Sequence, residues 1–524
     1  MSERVTTTAA QVPPRAGRRE WTVLHLAVPS LSEDLRPTST QLLWIIDIYG
    51  FLVAGALVTM GTLGDRIGRR KMLLIGGAAF GAISIVAAFS SSATMLIAMR
   101  ALLGIAGATV APSTLSLLFA MFRDPRQRST AVGVWIAAFS AGGAIGPVLG
   151  GLLLEHFWWG SVFLLAVPPM ALLLVLGPRV LPEYRDEQAG RLDLLSAGLS
   201  LVAVLGAIFG LKEIVQHGFA PGTLAIMLAG LACGVVFARR QLTLADPLID
   251  LRLFRIRAFS IALAINLLSI FVAVGYFLFV AQYLQLVLGL SPLRAGLWSV
   301  PSAAGFIIGS QIAPRLVRRM RPGRIIGISL TLAAAGLAVL TQVGAAGVLA
   351  ALVGASLIIS LGLAPVLTLT TDLIVGSAPP ERAGAASGLS ETAAELGGAL
   401  GIAILGSIGM AAYRNGLAAQ LPAGLPADAA AVAQDTLGGA TVVAGQLPAA
   451  LGRALIDAAN GAFVQGLHLA AGISAVVAIA LAILAATMLR HLGAAEGAHG
   501  AEGAHATATP ESPSGWELCE QPAD

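Results

Sequence analysis

Gly61-Thr-Leu-Gly-Asp-Arg-Ile-Gly-Arg-Arg-Lys71 lies between two apolar runs, residues 41–60 and 72–90. Each run is long enough to cross a bilayer as a helix. Arg66, Arg69, Arg70 and Lys71 put the turn on the cytoplasmic side, because basic residues collect in short loops that are not translocated. Gly61, Gly64 and Gly68 lack a Cβ, which permits a tight turn and close approach of helices. Asp65 stands beside Arg66, so a buried charge network at the helix ends is feasible. Charge alone would describe any basic turn between two spans; the string as a whole is more specific.

The rest of the chain has the same apolar character. Of 524 residues, 56% are apolar and 11% charged, less than half the charge of a soluble domain. The chain is therefore expected to be an all-α polytopic membrane protein. A transmembrane barrel would need short alternating segments, and the runs here are long and uninterrupted. The net charge of +4 belongs to loops and gives no nucleic-acid surface. Cys233, inside an apolar run, and Cys519, in the tail, do not read as a disulfide. His499 and His505 lack ligand spacing, so no metal and no cofactor is expected.

Apolar runs recur regularly from residue 41. Spans are expected near 41–63, 72–90, 94–118, 129–153, 160–178, 192–211, 221–238, 258–284, 293–314, 325–343, 346–371, 386–411 and 461–489. Alternating their sides tests the assignment. Loops on one side carry twenty-two basic residues, among them Arg126, Arg128, Arg239, Arg240, Arg315, Arg318, Arg319 and Arg382. The other side carries five: Arg36, Lys212, Arg294, Arg414 and Arg453. That asymmetry is the positive-inside pattern and fixes the topology from residue 41 onward. The start is different. Residues 1–20 are polar, with no secretory leader. Residues 21–31 form an apolar segment of about 11, where a span needs about 20.

The turn at 61–71 resembles the signature loop between the second and third helices of the major facilitator superfamily, Gly-x-Leu-x-Asp-Arg-x-Gly-Arg-Arg. Thr22-Val23-Leu-His-Leu-Ala27-Val-Pro29 is similar to the end of the first helix in the fourteen-helix branch, with the preceding apolar half absent. Glu20 falls where that branch has its acid; flanked by Arg18 and Arg19, it reads as a solvated interfacial charge. The resemblance implies the major facilitator fold: two six-helix bundles plus two extra central helices, here with an incomplete first helix. The expected divisions are a polar tail 1–21, an N-terminal bundle 22–178 and linker helices 192–238. A C-terminal bundle follows over 258–489, with an extracytoplasmic loop 412–460 and a tail 493–524. Arg315, Arg318 and Arg319 repeat the spacing of Arg66, Arg69 and Arg70, as expected of two related halves.

Ala138-Phe-Ser-Ala-Gly142-Gly143-Ala-Ile-Gly146-Pro147-Val-Leu-Gly150-Gly151 combines small residues at four-residue spacing with a helix-bending proline. It is similar to the antiporter motif of drug exporters, although generic helix packing would use the same residues. Arg100 interrupts an apolar run at a cost of about 2.5–3.5 kcal/mol, so it should face a partner or a wet cavity. The family ties an arginine here to proton coupling; snorkelling to the interface is the alternative. Glu391 and Glu395, in Ser390-Glu-Thr-Ala-Ala-Glu, share one helix face. They stand about 10 and 16 Å above the helix start. Two carboxylates together in low dielectric cannot both ionise easily, which makes the pair a workable proton acceptor. A helix N-terminus would explain Glu391 alone.

Asp47 resembles an acid of cationic-drug exporters, and equally suits an interfacial carboxylate bonded to Tyr49. Asp372, at a cytoplasmic helix end, reads as a solvated or structural charge. Asn266, Tyr276 and Gln282 are candidates to line a pathway. The reading is thus of a multi-pass bacterial inner-membrane exporter exchanging protons for lipophilic cationic drugs. Coupling is expected at Glu395, Glu391, Arg100 and Asp47, and substrate contact at Glu395, Asp47, Asn266, Tyr276 and Gln282. Partners are expected to be the cations, protons and lipids, with a monomeric chain. The alternatives are an uptake or metabolite carrier of the same fold, or a non-transporting protein because the first helix is truncated.

Overall fold

A computed structural model describes residues 31, 34–37, 39–122, 124–185, 193–217, 221–244, 247–344, 349–379 and 382–490. The expectations for the truncated first helix, for the tail 1–21 and for the tail 493–524 fall outside or almost wholly outside these residues. Among the described residues there is no strand. In lipid every backbone N–H and C=O must be satisfied within its own segment, and long apolar runs achieve that only as helices.

Each of the thirteen expected spans is a helix. The first five are α1 (Ser39–Ile67), α2 (Arg69–Ala88), α3 (Ala93–Met121), α4 (Pro125–His156) and α5 (Ser161–Val180). The linker pair is α6 (Leu194–His217) and α7 (Pro221–Thr243). Then come α8 (Arg257–Val287), α9 (Pro292–Val317), α10 (Pro322–Leu340), α11 (Leu349–Gly376) and α12 (Ala383–Ala418). Short helices α13 (Ala427–Asp435) and α14 (Leu437–Ala444) precede α15 (Ala449–Met488), which is 40 residues long. Ten of these helices are long and apolar enough to cross a membrane; α4, α6 and α9 are not among the ten. Both α8 and α12 contain a π-helical turn, at Tyr283–Val287 and Gly401–Leu405.

Packing divides the helices into two halves. In the first, α3 packs on α1 and α2, and α2 on α5. In the second, α11 lies against α8, α9 and α10, while α15 packs on α10 and α12. One large buried cluster runs from Leu253 to Leu489 entirely within the second half. Between the halves, α1 packs on α12 and α4 on α9. α6 sits against α1 and α7 against α6, the two linker helices closing to backbone contact at Gly206 and Gly230. The expected loop 412–460 contains the end of α12, both short helices and the first turns of α15, so little of it is irregular.

Candidate functional site

The turn after α1 is made by Gly68, whose φ of 108° is open to glycine and strained for other residues. Around it the charges form a closed network. Asp65 pairs with Arg69, one helical turn on, at 2.9 Å, rather than with its neighbour Arg66. Arg69 is 1% exposed; it also donates to the Ser116 carbonyl at 3.0 Å and lies 4.6 Å from the Tyr184 ring centroid. Arg70 donates its amide to Glu183 Oε1 and its guanidinium to the Leu181 carbonyl. Glu183 and Tyr184 were not legible as members of this site. They follow α5 in what reads as an ordinary loop.

Asp65 also joins the two halves. Its carboxylate accepts from the backbone N–H of Gly384 and of Ala385, each at 3.1 Å. These amides open α12, so the acid caps a helix N-terminus whose dipole favours negative charge. Gly61 and Gly384 make the approach possible, because a Cβ on Gly61 would strike the Gly384 carbonyl and one on Gly384 the Asp65 carboxylate. A second link lies beside it: Arg128 of α4 meets Asp372 of α11 at 3.0 Å, with Arg128 over the Phe119 ring. Asp372 is thus a structural charge. Leu115, Val132 and Ile136 of the first half bury Leu367, Val375 and Ala383 of the second between these polar links.

These contacts lie at the helix ends that the basic-residue count places on the cytoplasmic side. The two halves are therefore joined at these helix ends by polar links and by apolar packing. Farther out, Gly50, Gly142 and Gly296 have no heavy atom within 4 Å of where a Cβ would stand. Gly146 is half-buried and Gly150 buried in α4; the surroundings of Gly143, Pro147 and Gly151 lie outside the described residues.

The acid pair continues the sealing face outward. At about 100° per residue, Glu391 and Glu395 lie within about 20° of Gly384 on α12. Below them Gly384 and Gly388 touch α1 backbone and side chain. Glu391 is half-buried and Glu395 exposed. The two acids interact electrostatically, and Glu395 also acts on Tyr49 of α1. Arg100 of α3 stands over the Tyr49 ring at 4.7 Å and donates to the carbonyls of Ile45 and Ile46 at 2.9 and 3.0 Å. Neither a snorkelling cation nor an open cavity is needed to accommodate it. Asp47 is on α1, and its side chain lies outside the described residues.

Two expected pathway residues are elsewhere. Asn266, 3% exposed, donates to Thr370 at 3.0 Å between α8 and α11. Tyr276, 2% exposed, shares a hydroxyl cluster with Ser302 and Ser360. Both are buried inside the second half, and among the described residues Asn266 Oδ1 accepts no hydrogen bond. Gln282 is half-buried at the end of the α-helical part of α8. Among the described residues no group of three or more His, Cys, Asp or Glu could hold a metal ion.

On the cytoplasmic side of α6, the Arg240 guanidinium and then the Ser196 hydroxyl hydrogen-bond Asp193 and hold its carboxyl down at about 2. That pair closes the bases of α6 and α7 together.

A family model described as Major Facilitator Superfamily matches residues 20–402. The Multidrug efflux pump LfrA of Mycolicibacterium smegmatis is 42% identical over 469 residues, covering 90% of this chain and 93% of the relative. The Methyl viologen resistance protein SmvA of Salmonella typhimurium is 38% identical over 450 residues, 84% of this chain and 89% of the relative. The Tetracenomycin C resistance and export protein of Streptomyces glaucescens is 32% identical over 471 residues, 88% and 87% of the two chains. In fold, the chain is similar to the crystal structure of the human organic anion transporter MFSD10 (TETRAN). The TM-score is 0.56 at 16% identity, over 88% of this chain and 89% of that one.

Proposed function

The chain belongs to the major facilitator superfamily, and on that premise we propose that it exchanges protons for lipophilic cations across the bacterial inner membrane. As a multi-pass drug efflux transporter it is a carrier and not an enzyme. One observation carries the finer reading: Glu391 and Glu395 prolong the face of α12 that seals against α1. A carboxylate pair there is offered to whichever side the halves open. Methyl viologen, named for one relative, is a small organic cation of the kind such a pair would attract.

The cycle follows from charge balance. With its carboxylates ionised, the inward-open form takes a cation from the cytoplasm. After the cytoplasmic ends close, protons from outside neutralise the acids and the cation leaves. A membrane potential contributes about 2.3 kcal/mol per net charge moved per 100 mV. Residues 22–178 and 258–489 act as the two rocking bundles, with 192–238 inserted between them, in a monomer surrounded by lipid. Arg100 and Tyr49 fix the outer part of α1 opposite Glu395, and Asp47 on the same helix is a further coupling candidate. Gly142, Gly146, Pro147, Gly150 and Gly151 supply the flexible helix of an antiporter.

The test is efflux of a fluorescent lipophilic cation from cells, with and without a proton uncoupler. Glu395→Gln should abolish uncoupler-sensitive efflux at unchanged protein level. Wild-type efflux in that variant would overturn the assignment.

A further inference from the structure

We infer that Gln241 is a positioning residue for transport: it holds residues 247–249 as a clasp across the α1–α12 seam, and the clasp restrains opening of the cytoplasmic face. The inference rests on the alternation between closed and open faces proposed above. It gives the extra pair α6–α7 a role in that alternation.

The clasp is bonded on three sides. Toward the linker pair, the backbone N–H groups of Leu248 and Ile249 both donate to Gln241 Oε1, at 2.6 and 3.3 Å. Gln241 is 3% exposed, and its Nε2 donates to Ser196 Oγ at 2.8 Å. Ser196 in turn donates to Asp193, which Arg240 also holds at 2.8 Å. Toward α1, the Leu248 carbonyl accepts from Thr62 at 3.1 Å; that hydroxyl proton is shared with the Val58 carbonyl at 3.0 Å. Toward α12, the Pro247 carbonyl accepts from Arg382, the residue that precedes the helix, at 3.0 Å.

Apolar burial follows the same geometry. Leu248 is 1% and Ile249 7% exposed, in one cluster with Val58 of α1 and Phe237 of α7. Leu389 of α12 and Leu199 of α6 pack on it. A connector that only spanned two bundles would be solvated, as loops generally are. This one is buried at the seam where Asp65 meets Gly384 and Ala385. Parting α1 from α12 must therefore break the Thr62 side or the Arg382 side and expose Leu248. Glutamine suits the position because one side chain accepts two backbone N–H groups and donates to Ser196 without carrying charge.

Spin labels at Arg126 of α4 and Arg318 after α9, both exposed, report the separation of the cytoplasmic ends in the full-length protein. Cys233 and Cys519 are first replaced. Gln241→Met keeps the length of the side chain and removes its amide. It should raise the long-distance fraction about fivefold, as expected for losing one net buried hydrogen bond. Thr62→Val keeps shape and loses only a shared bond, so it should raise the fraction about twofold. If Gln241→Met does not fold, Thr62→Val decides. Distances unchanged in the folded variants, while wild type lengthens with methyl viologen, would overturn the clasp alone. If the wild-type pair never lengthens with methyl viologen or on a change of pH, the alternation itself is wrong and the clasp fails with it.

Discussion

Asp65→Asn separates what seals the molecule from what holds one half together. The carboxylate is 5% exposed and makes three bonds, one to Arg69 in its own half and two to amides of α12. Only the last two exist because the halves are closed. Asparagine offers one neutral acceptor in place of two charged ones, and its NH2 faces an N–H donor. Losing one charge-assisted bond and weakening the other costs about 3 kcal/mol, a factor of about 150 in the closed-to-open ratio. The loss at Arg69 falls on both states alike and lowers stability instead. A cysteine at Ser387, fully buried on α12, serves as the reporter. In inside-out vesicles a membrane-impermeant maleimide should label it up to about 150-fold faster in the Asp65→Asn background. Equal labelling rates in folded protein would show that the amide bonds do not hold the seal.

Two further outcomes follow from the same interface. Arg128→Asp and Asp372→Arg should each reduce efflux by about tenfold or more, since each leaves a largely buried charge facing its like. Their combination should recover much of the loss, and a double variant no better than the singles would refute the pairing. Gly384→Ala places a methyl against the Asp65 carboxylate and should accelerate Ser387→Cys labelling as Asp65→Asn does. Gly472→Ala, which meets nothing within 4 Å, should leave labelling unchanged.

The helices were legible because lipid leaves the chain little choice: an apolar run of span length must satisfy its backbone alone. Arginine counts assign the sides on a separate ground: basic residues stay where loops are not translocated. The seal was legible only in part. Asp65 was visible as a charge awaiting partners, but its neighbour in sequence was a poor guide. On a helix the facing residue is four positions on, which is Arg69. The amides of Gly384 and Ala385 have no side-chain signature at all. Asn266 and Tyr276 show the opposite difficulty. A polar residue in an apolar helix can face water or a neighbouring hydroxyl, and periodicity does not distinguish them. Gln241 and Leu248 fell in a basic loop whose composition suggested only a cytoplasmic side.

α15 has a use beyond its part in the core. At 40 residues it is about 60 Å long, twice the roughly 30 Å of hydrocarbon it crosses. On the topology read from the basic residues, its first turns, with α14 packed on the helix and α13 on α14, stand clear of the outer leaflet as a rigid mast. An antibody fragment raised against residues 427–455 would mark this protein from outside the cell. It would also give electron microscopy a landmark on a particle otherwise hidden in detergent.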